Sequence, residues 1–378
     1  MVIAILGLGT VGSGVNELAA RTPNLKVKKI LEKRFTGPQI TDNMEDIVSD
    51  EEITLVCETM GGLHPAYEFA VRVLEAKKHF VTANKLLVAE KGTELRALAE
   101  KNNVAFLYSA ACGGGIPYLQ ALRLAHETDE VTALGGILNG TTNLILDAMQ
   151  TDGQSYDEAL AEAQRLGYAE KDPSSDVDGL DTMRKLILAC AVGFDAEITS
   201  ADIPTAGIRN TAAADIAYAK KTNRVLRLCA FAEKNGDALS AYVEPTLLPA
   251  SAQEASIIKN LNYAWYEGYG AGHMGFSGQG AGKLPTASNI IRDVACVAAG
   301  QRSMTQPALA PHAIDNTAAR HPYYVRIPKE AAFRTEWIDK TIAADGATLI
   351  ETVPLSPAEM HTAMKAIPGA FFAGIRKG

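Results

Sequence analysis

Residues 2–12 read Val-Ile-Ala-Ile-Leu-Gly-Leu-Gly-Thr-Val-Gly. An apolar run without alternation passes straight into a glycine. That is the pattern of a strand buried on both faces, as in a parallel sheet. The glycines that follow, Gly7, Gly9 and Gly12, with Thr10 and Val11 between them, form G-x-G-x-x-G at the opening of a predicted helix. Each glycine has a mechanical task in such a unit. The first permits a tight turn, the second lets a pyrophosphate approach the backbone, and the third lets helix and strand pack closely. The helix N-terminus attracts the anion. The alternative is a glycine turn that holds no ligand.

Working outward, residues 26–31, 53–59, 79–82 and 104–108 read as strands, and 65–76 and 93–101 as helices. Strands alternating with helices imply right-handed crossovers and an α/β, Rossmann-type parallel sheet. The second strand ends Ile30-Leu31-Glu32-Lys33-Arg34. An acid there suits the ribose 2′-hydroxyl of NAD(H), whereas adjacent cations suit the 2′-phosphate of NADP(H). Lys33 and Arg34 favour NADP(H). Glu32 keeps NAD(H) as the competitor, and a solvated surface pair is the bland alternative.

From about residue 117 the pattern changes. Helices are predicted at 117–125, 142–150, 156–166, 180–192 and 211–221, and strands at 131–139, 224–231, 240–246 and 263–268. That segregation indicates an α+β unit. An amphipathic helix follows at 288–299, and 301–320 reads as a linker. Residues 323–376 read as β-α-β-α-β, with helices at 333–344 and 357–366. The expected division is a dinucleotide-binding domain at 1–118 completed by 288–317, a catalytic and dimerisation domain at 119–287, and a tail at 318–378.

Composition excludes several classes. The 378 residues are 47% hydrophobic, enough for a sizeable core and too apolar for disorder. Lys and Arg number 36 against 44 Asp and Glu, a formal charge of −8 with no basic block, which argues against a nucleic-acid partner. No apolar run reaches the roughly 18 residues of a membrane span. The start, MVIAILGLGT, lacks the basic segment and cleavage site of a secretory signal. Cys57, Cys112, Cys190, Cys229 and Cys296 are scattered, without a C-x-x-C pair. A disulfide framework or structural zinc is not expected, and a reducing, cytoplasmic location is.

Five clusters carry candidate chemistry. Residues 163–185, AQRLGYAEKDPSSDVDGLDTMRK, hold Glu170, Asp172, Asp176, Asp178 and Asp181 beside Lys171, Arg184 and Lys185. Pro173, Ser174, Ser175 and Gly179 are expected to keep the middle out of helix, leaving the acids on a loop. Asp181 and Lys185 are spaced i, i+4 and share a helix face. The bland reading is a polar loop with a helix-opening ion pair. The chemical one is an ammonium-binding acid cluster with a lysine as proton donor. The others are Thr82-Ala83-Asn84-Lys85 at a strand end, the glycine-rich 109–117, the 135–143 stretch GGILNGTTN, and 278–288, which contains Gly280 and leads into a helix.

These motifs in this order resemble the homoserine dehydrogenase family. In 163–185 the matching positions are Gly167, Asp172-Pro173, Asp176, Gly179, Asp181 and Lys185, and GLGTVG, TANK, LNGTTN and GAGKLPTAS stand in the family's sequence. The resemblance implies reversible hydride transfer between L-homoserine and L-aspartate 4-semialdehyde, within threonine and methionine biosynthesis. It implies a small amino-acid substrate and a homodimer or higher homo-oligomer. By resemblance Lys185 is the proton donor, Lys85 sits between cofactor and substrate, and Asp176 orients Lys185. Glu170 and Asp181 hold the substrate ammonium or hydroxyl, and Asn139, Gly140, Thr141 and Thr142 take its carboxylate. The glycine loop with Thr10 and Val11, Lys33, Arg34, Thr82, Lys85 and Gly280 face the cofactor.

The family also binds Na+ or K+ through backbone carbonyls, which here fall on Cys112, Gly114 and Ile116. Relatives often carry Glu where this chain has Ser109, and an acid where it has Arg34. The tail is similar to a shortened ACT-type regulatory module. Two competing readings are an aldehyde dehydrogenase using Cys112 as a thiolate nucleophile and a non-catalytic, dinucleotide-binding redox sensor.

Overall fold

A computed structural model describes residues 1–305, 310–311, 313–344 and 346–377. The opening apolar run forms β1 (Val2–Leu6), whose residues from Ile3 to Leu6 are fully buried. It pairs in parallel with β2 (Lys26–Leu31) on one side. The remaining strands of this sheet are β3 (Ile40–Thr41), β4 (Leu55–Glu58), β5 (His79–Thr82) and β6 (Phe106–Leu107), all parallel. Their spatial order is β3-β2-β1-β4-β5-β6. The order reverses at β1, and the crevice beyond the strand ends at such a switch point is where ligands bind.

Helix Thr10–Ala19 leaves β1 through the glycine turn and packs against helix Lys283–Ala298. A Cβ on Gly14 would lie 2.6 Å from the Lys283 carbonyl oxygen, so the two helices touch backbone to backbone. A late stretch of chain therefore returns to complete the first unit.

The second sheet is mixed. It contains β7 (Val131–Ile137), β8 (Arg224–Asn235), β9 (Ala238–Pro249), β10 (Leu261–Gly268), β11 (Gly272–Gln279), β12 (Tyr323–Pro328), β13 (Ile338–Ala344), β14 (Ala347–Thr352) and β15 (Phe371–Ile375). The order is β11-β10-β7-β8-β9-β15-β12-β14-β13, with Ala313–Ile314 paired beside β9. The tail is thus a continuation of this second sheet, joined where β15 runs parallel to β9. Its faces divide by alternation. Tyr324, Leu349, Phe371, Ala373 and Ile375 enter the main core. Tyr323, Val325, Ile327, Ile350 and Phe372 form a second core with Met360 and Met364 of helix Pro357–Lys365.

Several expectations need correction. Residues 333–344, expected as a helix, form a short 3-10 turn at Thr335–Trp337 and then β13, so the tail is β-β-β-α-β. Helix propensity is a weak prior; Ile338, Thr341 and Ile342 are β-branched, and pairing with β14 decides the strand. The helix expected at 93–101 begins at Lys85, capped by the Asn84 side chain, which accepts from the Leu87 N–H at 3.1 Å. The acids at 170–178 do not all lie on a loop, because Ser174–Val177 makes one helical turn. Strand β11 was not expected: its sequence, GHMGFSGQ, offers weak alternation and three glycines. Part of the 301–320 linker lies outside the described residues. Among the described residues no helix is long and apolar enough to cross a membrane.

Candidate active site

Helix Leu180–Phe194 starts just after Gly179, which has φ +83°, and it sets Asp181 and Lys185 one turn apart on a buried face. Asp181 Oδ2 lies 2.8 Å from Lys185 Nζ, and Asp181 Oδ1 lies 2.9 Å from Lys85 Nζ. Lys85 comes from the other unit, as the first residue of its helix beyond the end of β5. One carboxylate therefore ties together the two halves of the molecule.

Two amides and a carbonyl fix the rest. Asn139 Nδ2 donates to Asp176 Oδ1 at 2.7 Å and to Asp181 Oδ2 at 2.9 Å, while its Oδ1 caps helix Gly140–Thr151 by accepting from Thr142 N–H at 2.8 Å. Lys185 Nζ donates to the Leu138 carbonyl at 2.6 Å, and Asn262 Nδ2 donates to the same oxygen at 2.7 Å. Burial alone would raise the proton affinity of Asp181, but Lys185 and Lys85 hold its carboxyl well below the usual range. Asp181 in turn raises Lys85 above an ordinary lysine, against the pull of burial. Burial first, and then the negative charge of Asp181, push Asp176 up. The cluster thus holds an ionised acid, a stabilised ammonium and a second acid of raised proton affinity side by side.

These groups line a cleft of about 610 Å³ between the two sheets. Val11 and Met60 border it from the first unit, Glu170 and Gly140 from the second, and Gly114 and Gly280 from the two glycine-rich loops. The carboxylate in contact with Lys185 is that of Asp181; Asp176 reaches the pair through Asn139. Thr82 is fully buried and its hydroxyl donates to Glu58 Oε2. Thr142 is also fully buried, with its hydroxyl on the Asn139 carbonyl at 3.1 Å. Both are therefore turned into the protein. Thr141 Oγ1 donates to the Tyr168 carbonyl at 2.8 Å.

Sequence reasoning passed over Glu58 and Asn262. Glu58 closes β4 at the switch-point side of the sheet, where strand-end residues were a readable signal. It accepts from the backbone N–H of Met60 at 2.6 Å and Gly61 at 3.2 Å, and so shapes the rim of the cleft. Nothing local marks Asn262.

The glycine loop has the expected mechanics. Gly7 has φ +89°, a Cβ on Gly12 would lie 2.0 Å from the Gly7 carbonyl oxygen, and a Cβ on Gly9 would meet nothing within 4 Å. The left-handed turn thus explains the first glycine and close packing the third, and Gly9 leaves clear backbone for a pyrophosphate. The loop is coupled to the end of β2, since Glu32 Oε2 accepts from Leu8 N–H at 3.1 Å. Glu32 also accepts from Lys33 N–H at 2.9 Å and from Arg34 Nε at 2.9 Å and Nη2 at 2.7 Å. That guanidinium holds the Glu32 carboxyl far below its ordinary range. Lys33 stands exposed beside it.

The loop at 109–116 does not fit the cation that the resemblance implies. The carbonyls of Gly114 and Ile116 accept from Asn289 Nδ2 at 2.8 and 3.0 Å. Cys112 is fully buried, and burial pushes its thiol up to about 12, which removes it as a thiolate nucleophile.

Comparison with known proteins agrees with this geometry. Residues 117–295 match the family model described as homoserine dehydrogenase, and residues 7–109 match its NAD-binding domain. A homoserine dehydrogenase of Synechocystis sp. is 37% identical over 363 residues, covering 91% of this chain and 83% of that one. That of Lactococcus lactis is 38% identical over 312 residues, 77% of this chain and 73% of its own. A crystal structure of a homoserine dehydrogenase from Thiobacillus denitrificans superposes with a TM-score of 0.90 at 29% identity, covering 100% of this chain and 98% of that one. With family models matching residues 7–109 and 117–295 and a relative 37% identical over 91% of it, the chain belongs to the homoserine dehydrogenase family.

Proposed function

We propose that the cleft interconverts L-homoserine and L-aspartate 4-semialdehyde with NADP(H) as the preferred cofactor, and that Lys185 delivers the proton to the nascent alkoxide. The observation that carries this reading is the Lys85–Asp181–Lys185 ion triad on the wall of a cleft that also meets the dinucleotide loop. When bound, the nicotinamide supplies or accepts the hydride.

The chain's own residues do the rest. Lys185, buried and directed by Asp181 and the Leu138 carbonyl, stands as a positioned donor and stabilises developing negative charge. Lys85 remains an ammonium between the two units and neutralises charge on the cofactor side. Asp181 spends both oxygens on the lysines, so it acts as their positioning residue and not as a substrate ligand. Asp176 acts on the pair through the Asn139 amide. Glu170, on the rim, takes the substrate ammonium. The backbone N–H groups at Gly140 and Thr141 open a helix and suit the substrate carboxylate. Asn139 and Thr142 hold that helix end in place. On this reading cofactor binding falls to 1–118 with helix Lys283–Ala298 and catalysis to the unit of the mixed sheet, with Ala313–Ile314 beside β9 and 318–378 as an extension of that sheet.

The NADP(H) preference rests on Lys33 and Arg34. Arg34 already covers the Glu32 carboxylate, the group that would otherwise take a ribose hydroxyl. Initial rates with L-homoserine test it. NADP+ is expected to give the higher kcat/KM, and Arg34→Asp to lose roughly 10- to 100-fold with NADP+, the scale of a charge-assisted contact. Equal kcat/KM for NAD+ and NADP+ in the parent enzyme sinks the preference. A cytoplasmic homodimer completes the proposal: β11 is the terminal strand of the sheet, with Met274 exposed, and a terminal strand offers backbone for pairing. Sedimentation velocity reads the oligomer directly.

A further inference from the structure

We propose that the Asn289 side-chain amide stands in place of the monovalent cation in this chain, so that Na+ and K+ neither hold the 109–116 loop nor support turnover. Three backbone carbonyls converge on Asn289 Nδ2: Gly114 at 2.8 Å, Ile116 at 3.0 Å and Ser109 at 3.3 Å. Convergent carbonyls are what an ion ligates. Here they meet the two N–H hydrogens of a neutral amide, which carry partial positive charge and need no counter-charge. The amide cannot turn its oxygen to them without loss, because Oδ1 accepts from Arg292 Nη1. Asn289 is fully buried, so no solvent competes for these bonds.

The charge balance agrees. Position 109 carries a hydroxyl, not the carboxylate that would offset an ion. The neighbouring buried carboxylate, Asp293, is engaged by Ser109 N–H at 2.7 Å, by Ser109 Oγ at 2.5 Å and by Gln120 Nε2 at 3.0 Å. Ser109 and Asn289 thus supply together what a carboxylate and an ion would supply elsewhere. The loop they hold matters for the cleft. A Cβ on Gly114 would lie 2.4 Å from Gly280 backbone atoms, and both glycines line the cleft wall. A shift of the loop would therefore move a wall of the site.

The test compares the full-length protein in tetramethylammonium chloride with the same protein in NaCl or KCl at constant ionic strength. The readouts are the thermal midpoint and the kcat and KM for L-homoserine. The melting readout needs no catalysis, so it stands even if the assigned reaction fails. An ion that binds only the folded state raises the midpoint by mass action. The expected result for the parent protein is an unchanged midpoint and less than about a twofold change in kcat/KM, since ionic strength is held fixed. Asn289→Ala leaves the carbonyls without a donor. It is expected to melt lower in tetramethylammonium and to recover part of the loss in NaCl or KCl, with broadening of the ²³Na resonance that the parent protein does not cause. A parent protein stabilised or activated by either ion overturns the proposal. So does an Asn289→Ala protein as indifferent to them as its parent. If that variant does not fold in any salt, the parent titration decides alone.

Discussion

Asp181 places one carboxylate oxygen on each of two lysines that arrive on helices of different units. Removing either partner has a distinct outcome. Lys185→Ala leaves Asp181 paired with Lys85 and the dinucleotide loop untouched. We expect kcat to fall by about 10²- to 10⁴-fold, the usual weight of a positioned acid–base group, while cofactor affinity by fluorescence titration stays near the parent value. Near-parental turnover would refute the role of Lys185. Asp181→Asn removes the anion that raises Lys85. The alkaline limb of its kcat/KM profile should move to lower pH, and an unmoved limb would show that Lys85 does not govern it. At this scale much was legible beforehand: the i, i+4 spacing already put Asp181 and Lys185 on one face. The Asn139 bridge was not legible, because it depends on a loop from another element crossing the start of that helix. The inward turn of Thr82 and Thr142 was equally hidden, since both sit in motifs that look exposed to ligand.

Strand β9 carries a different kind of charge. Glu244 is fully buried and accepts from or pairs with His321 Nε2 at 2.8 Å, His361 Nε2 at 3.1 Å and the Tyr323 hydroxyl at 3.2 Å. All three partners belong to the tail, so this cluster clamps the tail to the catalytic sheet. Burial acts to raise the Glu244 carboxyl, but the two imidazoles hold it down to about 2. A folded pKa below the unfolded value of about 4.3 contributes stability that is complete above pH ~4.3 and lost as pH falls through ~2, at most on the order of 3 kcal/mol. Glu244→Gln should therefore melt well below the parent protein at pH 7, with the gap closing between about pH 4 and pH 2. A gap independent of pH would mean that packing, not charge, holds the clamp. Elements differed in how well they could be read. The buried strands of the first sheet announced themselves as apolar runs. Strands β11 and β13 did not, because a glycine-rich segment, or one that mixes β-branched residues with Asp, Lys and Ala, becomes a strand only when a neighbouring strand is there to pair with it.

Across the whole molecule, the described residues form two large sheets and a small two-stranded one. The tail has no sheet of its own. Side chains from both sheets and from the tail enter one continuous core. Deleting 318–378 would strip β9 of its β15 neighbour and uncover Leu247 and Tyr242, both essentially buried. We expect the truncated protein to aggregate or to lose its cooperative melt, and expect the full chain to unfold in urea with coincident fluorescence and circular-dichroism transitions. A soluble, active truncated protein would make the tail dispensable.

The place of β15 has a further consequence, for biosynthesis. It is the latest of these strands along the chain, yet it lies inside the sheet, between β9 and β12. A ribosome delivers strands in chain order. The first sheet can therefore assemble during synthesis, while the second must keep a gap open until residues 371–375 emerge. For that interval the β9 edge is exposed and apolar, the condition in which nascent chains call on chaperones or pair with one another.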